Sequence, residues 1–166
     1  MNASTVAPAN TNWNPSTVAY GSKFERGLDV VEVAKRVRAD IADLVASGGL
    51  PAARYSVRTS RYSMGRSLDV TISDVPFILS NEERVRYDWE SPHAAMPTPV
   101  LPRYSDAARA LLASVEAIVA AYNFDGSDTM SDCYHVNFYG DVGFDWRQED
   151  RERVGLEQDR HRATQT

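Results

Sequence analysis

Cysteine is almost absent from this 166-residue chain, which contains only Cys133. A single cysteine cannot form an internal disulfide, so a small secreted scaffold held by disulfides is excluded and a reducing compartment is expected. No apolar run approaches the roughly 20 residues that a membrane helix needs, and the N-terminus has no apolar block of the signal-peptide kind. The sequence therefore predicts a soluble cytoplasmic protein without a membrane partner.

Motifs that mark common enzymes and metal sites are also missing. There is no glycine-rich phosphate loop, no Gly-x-Ser-x-Gly elbow and no His-Glu-x-x-His pair. His93, His135 and His161 have no spacing that suggests zinc. Cys133 and His135 are two residues apart on a predicted strand, so their side chains lie on the same face. Such neighbours are about 6.5 Å apart along the backbone, which is too far for a nucleophile and its base. We therefore expect no enzyme, no metal and no cofactor.

Lysine is scarce, and the charges are unevenly distributed. The 18 basic residues include only two lysines, the acidic residues number 23, and the formal net charge is −5. This balance excludes the overall basic charge of general nucleic-acid binders. The stretch 44–68 contains arginines but no acidic residue, whereas 110–146 contains six acidic residues and no basic one.

Apolar spacing predicts two helices and a hairpin. Apolar residues recur at helical spacing in 29–47 and 105–122, and Ser105 is a suitable cap for the second helix. Apolar and polar residues alternate in 54–60 and 67–73, and the short segment between them favours an antiparallel hairpin.

The rest of the chain is less regular. Five prolines interrupt 74–104, which predicts a long ordered loop. Alternation in 134–146 predicts one bent strand, and the charged end predicts a frayed helix or a disordered tail. We expect a flexible leader (1–22), a single α+β domain (23–146) and a charged tail (147–166). The order is helix, β-hairpin, long loop, helix, strand, with two main helices packed on one face of a small antiparallel-rich sheet.

The predicted hairpin carries candidate binding residues. They are Arg54, Arg58, Arg61, Tyr62 and Arg66. Arginines contact phosphates and a tyrosine stacks on a base, so the hairpin is a candidate nucleic-acid surface. The same arginines can instead pair with Asp69 or with the acidic region 116–145, which would neutralise them. Both alternatives stay open at the level of sequence.

The polar turn 123–133 carries a second candidate group, Asp125, Asp128 and Asp132. Carboxylate oxygens suit hard cations, and an enzyme that processes nucleic acid through these carboxylates is one alternative. Their spacing differs from that of a calcium loop and no closing glutamate follows. Aspartates in turns commonly accept hydrogen bonds from backbone amides. We keep the three as candidate binding residues and expect no metal.

The helix predicted at 105–122 is rich in alanine on the side away from its apolar stripe. Only Arg109 and Glu116 are charged beyond its first turn, so a second surface is expected to cover it. A covering loop is one explanation. The other is a second copy of the chain, which makes a homodimer a further alternative.

Two segments together resemble a known family. One is Arg54-Tyr-Ser-Val-Arg-Thr-Ser-Arg-Tyr-Ser-Met-Gly-Arg-Ser-Leu-Asp-Val-Thr-Ile-Ser-Asp-Val-Pro76, and the other is Ala121-Tyr-Asn-Phe-Asp-Gly-Ser-Asp-Thr-Met-Ser-Asp-Cys-Tyr-His-Val-Asn-Phe-Tyr139. They resemble one of the large polyvalent protein-associated domains, number 29 of that series, over about Val30 to Phe144. Ile72 stands where the family has tryptophan, and Cys133-Tyr134 replaces a Tyr-Phe-like pair.

The resemblance implies the kind of genetic element that encodes the protein, and it implies no catalysed reaction. Such domains occur in large proteins of phages and conjugative elements, and no catalytic residues carry over from them. We expect a non-enzymatic accessory protein of a phage or mobile genetic element that acts in the host cell cytoplasm. It would bind a host protein or nucleic acid, with counter-defence as one role. The nucleic-acid-processing enzyme and the homodimeric interaction module are the alternatives.

Overall fold

The helices and strands alternate along the chain in an α+β arrangement. The computed structural model describes residues 19–63, 65–92, 100–126 and 136–163. Its elements in chain order are β1 (Ala19–Tyr20), α1 (Val30–Ala46), β2 (Arg54–Tyr62), β3 (Gly65–Ser73), α2 (Glu82–Glu90), α3 (Asp106–Ala120), β4 (Phe124–Asp125), β5 (Tyr139–Phe144) and α4 (Trp146–Ala163). Positions 1–18 of the leader predicted at 1–22 lie outside the described residues.

Local sequence sets the ends of the two main helices. Gly48 follows α1 with a φ of 77°, a left-handed conformation that glycine adopts without a steric penalty, and ends the helix. The Ser105 hydroxyl caps α3 by accepting a hydrogen bond from the Ala108 amide at 3.3 Å. The predicted helices are confirmed. Asp29, the residue immediately before α1, makes no side-chain capping hydrogen bond.

Within the described residues, the main sheet has three strands in the order β2-β3-β5. β2 and β3 form the predicted antiparallel hairpin, with Tyr62 opposite Gly65 at its turn. β5 pairs with β3 in parallel, from Ser67 opposite Tyr139 to Ile72 opposite Phe144. The long connection through α2 and α3 makes this parallel pairing possible. A small second sheet pairs β1 with β4 antiparallel.

The core lies between one face of this sheet and helices α1 and α3. The buried side chains include Val57, Leu68, Val70, Ile72 and Phe144 from the strands, Val30, Val33, Val37 and Ile41 from α1, and Ala108, Leu111, Val115 and Val119 from α3. Each buried valine or leucine contributes roughly 1.5–3 kcal/mol. The prediction of two helices on one face of a small sheet is confirmed.

The region predicted as a long loop contains a helix, α2, and that prediction was wrong in this part. The Asn81 side chain caps α2 by accepting from the Glu83 amide at 3.0 Å. None of the side chains of α2 is buried, so its sequence lacks the apolar stripe that identifies a helix. Leu79, just before it, is fully buried and fixes the segment to the core.

The C-terminal end forms α4, which corresponds to the helical alternative for the charged tail. It lies against α2 and the segment after β3. The Gln148 side chain accepts from the Asp74 amide at 2.8 Å, and Glu152 accepts from the Leu79 amide at 2.7 Å. No helix within the described ranges is both long and apolar enough to cross a membrane.

Candidate binding surface on the open sheet face

The three-stranded sheet has one face that α1 and α3 leave uncovered. Because side chains alternate between faces, this open face consists of Arg54, Ser56, Arg58, Ser60 and Tyr62 from β2, Gly65, Ser67, Asp69, Thr71 and Ser73 from β3, and Tyr139, Asp141 and Gly143 from β5. The side chains of Arg58, Tyr62, Thr71 and Tyr139 are exposed. The open face is therefore polar, in contrast to the apolar inner face.

The sheet divides the four candidate arginines into two pairs. Arg61 and Arg66 belong to the inner face: Arg61 forms an ion pair with Asp29 at 2.5 Å, and Arg66 Nε donates to the Asn137 carbonyl at 3.0 Å. These two fix the hairpin to its surroundings. Arg54 and Arg58 lie on the open face, and neither forms an ion pair within the part of the chain that the structure describes. Within the described residues, Arg61 is the one arginine of this set with an ion-pair partner, and that partner is Asp29 rather than Asp69 or an acidic residue of 116–145.

Tyr62 forms a pair with Tyr139 across the width of the sheet. The ring centroids are 6.4 Å apart, the planes are inclined by 28°, and the residues are 49% and 45% exposed. Gly65, on the strand between them, leaves the necessary space. A Cβ at Gly65 would lie 3.1 Å from Cε2 of Tyr139 and 3.2 Å from Cε2 of Tyr62. The sequence identified Tyr62 as a candidate binding residue but not Tyr139. The alternation in 134–146 assigns Tyr139 to one face of a strand, but it does not show which strand lies beside it.

Hydroxyl and carboxylate groups occupy the middle of the open face. Ser60 Oγ and Ser67 Oγ are 2.7 Å apart, and Ser67 Oγ donates to Asp69 Oδ2 at 3.1 Å. Asp69 is opposite Arg58 on one side and Asp141 on the other. Positive charge therefore lies along β2, and negative charge along β3 and β5.

Only one of the three candidate aspartates lies within the described residues. Asp125 is exposed at the end of β4, whereas Asp128 and Asp132 fall in 127–135, outside that part, as do Cys133 and His135. No group of three or more histidine, cysteine or acidic side chains in the described ranges is arranged to hold a metal. Near this turn, the Asn123 side chain joins the segment after α3 to the segment before β5: Oδ1 accepts from the Asn137 amide at 3.1 Å, and Nδ2 donates to the Phe138 carbonyl at 2.9 Å.

A cleft of 460 Å³ lies between α2, α4 and the segment before α3. Its walls carry paired charges: Arg84 contacts Asp88 at 2.8 Å, and Arg103 bonds to Glu149. Burial and the hydrogen bond to Glu149 raise the pKa of Tyr104 from 10.0 to about 12. Because these polar groups already bond to one another, the cleft points to no particular ligand.

The alanine-rich side of α3 is exposed in the structure, including Ala110, Ala113 and Ala117. Neither a loop nor a strand of the described ranges covers these three residues. The homodimer alternative stays a prediction.

Comparison of the chain with protein-family models, curated proteins and solved structures found no match. The fold class is α+β, and on its open face the exposed Tyr62–Tyr139 pair lies on the same side as Arg54 and Arg58, which form no ion pair in the described residues.

Proposed function

We propose that this chain is a non-enzymatic accessory protein that binds another protein through its open face. The observation that carries the proposal is the exposed Tyr62–Tyr139 pair, on the same face as Arg58, which has no ion-pair partner in the described ranges. Tyrosine and arginine are enriched at protein interfaces and dominate their binding energy. The sequence resemblance supports a phage or mobile genetic element as the setting, with a host protein as the partner.

The charges of the open face favour protein over nucleic acid. Arg54 and Arg58 are balanced by Asp69 and Asp141, and the chain as a whole has a net charge of −5. A nucleic acid crossing the face would approach both carboxylates, and binding to its backbone depends on an excess of positive charge. A protein surface carries charges of both signs, so it can complement this arrangement.

Capture of partners from a lysate of the host cell tests the proposal. Arg58→Glu and Tyr139→Ala alter the open face, whereas Arg109→Glu and Trp89→Ala change comparable exposed residues elsewhere. We expect a discrete protein that survives nuclease treatment and is retained by both control variants. Each open-face variant should weaken capture by about 2 kcal/mol, or roughly thirtyfold. Equal capture by all four variants would count against the proposal.

Single-stranded nucleic acid is a second candidate, because exposed tyrosines of a sheet are suitable for stacking on bases. The direct assay is the mobility of labelled single-stranded DNA or RNA at low salt. If the labelled nucleic acid binds, and if this binding weakens with salt and is lost in Tyr62→Ala, then the partner is a nucleic acid and not a protein. We expect no binding, because only two of the four hairpin arginines lie on the open face.

A further inference from the structure

β2 is an edge strand of the main sheet. It has nine residues and, among the residues that the structure describes, pairs with β3 on one side only, since the strand order there is β2-β3-β5. An edge strand has a row of main-chain donors and acceptors that a further strand can pair with. Proteins that bind extended peptides commonly use such an edge.

The register shows which groups of β2 point outward. Tyr62 is opposite Gly65 at the turn, and in a two-residue hairpin these flanking residues exchange both main-chain hydrogen bonds. The bonded positions of β2 are therefore the even ones, and the amides and carbonyls of Tyr55, Val57 and Thr59 point away from β3. An independent contact agrees, because the Val57 carbonyl accepts from Arg38 Nη2 of α1 at 2.6 Å.

The free edge is rich in positive charge. Arg38 lies at the edge itself, and Arg54 and Arg58 project from the same strand onto the open face. Within the described ranges, none of the three pairs with a carboxylate. A segment that pairs with β2 would place alternate side chains on the open face beside these arginines. Acidic side chains would complement them in charge.

We infer that the free edge of β2 binds an extended acidic segment of the partner protein, which adds to the sheet as a fourth strand. This inference rests on the proposed function and names the partner's chemistry. Main-chain hydrogen bonds to Tyr55, Val57 and Thr59 hold the segment. Two carboxylates on one face, four residues apart, contact Arg54 and Arg58. An incoming amide takes the place of Arg38 at the Val57 carbonyl, and Arg38 then contacts the segment as well.

A displayed library of random peptides long enough to span β2 tests this inference on the full chain. We expect enrichment of peptides with acidic residues four positions apart. Selection on Arg54→Glu/Arg58→Glu, whose side chains are exposed, should enrich basic residues at those positions instead. The absence of any enriched peptide, or enrichment without this charge pattern, would overturn the inference.

Backbone pairing is tested on an enriched peptide. N-methylation of an amide that faces β2 should weaken binding by about tenfold, and methylation one residue along should leave it unchanged. In the protein, Thr59→Pro removes an outward amide and Thr59→Val retains it, so only the first should weaken binding. If both methylation registers bind equally, the peptide does not pair with the edge.

The two proposals fail in distinguishable ways. If the partner captured from lysate requires Tyr139 but binds equally to Thr59→Pro, the edge inference is wrong and the open-face proposal stands. If neither the open-face variants nor Thr59→Pro reduce capture, both are wrong.

Discussion

At the scale of single residues, the tyrosine pair of the open face depends on the glycine between its members. Any side chain at Gly65 would come within 3.2 Å of both rings, so the rings must separate to accommodate it. A Cβ at Gly143, on the same face, would meet no atom within 4 Å. These two glycines therefore provide a matched comparison.

We expect Gly65→Ala to displace the two rings by a few tenths of an ångström and to weaken partner capture, because the added methyl group changes the surface that the two tyrosines form together. Gly143→Ala should change neither. Near-ultraviolet circular dichroism reports the tyrosine environment, and the capture assay reports binding. An unchanged spectrum in Gly65→Ala would contradict the proposed dependence on this glycine.

The Tyr104 hydroxyl makes the free energy of unfolding depend on pH in the alkaline range. Its pKa is raised from 10.0 to about 12 by burial and by the hydrogen bond to Glu149, so the folded state disfavours the ionised form. The stabilising contribution is complete below pH 10 and is lost as the pH rises through about 12. Urea unfolding should show a shallower alkaline loss of stability in Tyr104→Phe than in the wild type.

At the scale of elements, Asp40 joins three segments of the chain. It accepts from Lys23 Nζ at 2.6 Å and from the Tyr122 hydroxyl at 2.8 Å, and so connects α1 with the segment after β1 and the end of α3. Burial raises its pKa, but the hydrogen bonds from Lys23 and Tyr122 outweigh burial, and the net pKa lies below the usual 3.8. The stabilisation is therefore present above pH 3.8 and is lost as the pH falls further.

Asp40→Asn should lower the free energy of unfolding at neutral pH by about 1 kcal/mol, since two charge-assisted hydrogen bonds are weakened at a partly exposed site. Asp43→Asn alters an exposed aspartate on the same helix and should have little effect. Urea denaturation of both variants measures the difference. Equal stability of the two variants would contradict the role given to Asp40.

The elements also show how far the sequence could be interpreted. α1, α3 and the hairpin were predicted because each has one apolar side that packs on the core. α2 was missed because its docking depends on Leu79 and on the cap at Asn81, and not on an apolar stripe. The parallel pairing of β5 could not be predicted, since alternation identifies a strand but not its neighbour.

At the scale of the whole molecule, the open face combines residues that are far apart in the chain. Tyr62 and Arg58 could be predicted as binding residues from the hairpin, but Tyr139 became part of the site only through the pairing of β5 with β3. The sequence also could not show which of the four arginines lie on the open face and which lie on the inner face. It depends on side-chain alternation together with the positions of Asp29 and Asn137.

The homodimer alternative makes a separate prediction. If the exposed alanines of α3 form an interface between two copies, Ala113→Glu should halve the mass in solution, because a buried charge would oppose association. Sedimentation equilibrium at micromolar concentration measures this mass. A monomeric wild type would remove the alternative and leave the open face as the proposed surface.

Photo-cross-linking from the open face tests the central claim most directly. A photoreactive phenylalanine derivative at Tyr139, which is 45% exposed, is compared with the same group at Tyr20, which is 51% exposed and lies on the small second sheet. In a nuclease-treated lysate of the host cell, we expect a discrete protein adduct from position 139, its loss on Arg58→Glu, and no such adduct from position 20. Identical adducts from both positions, or an adduct to nucleic acid before nuclease treatment, would contradict a protein-binding open face.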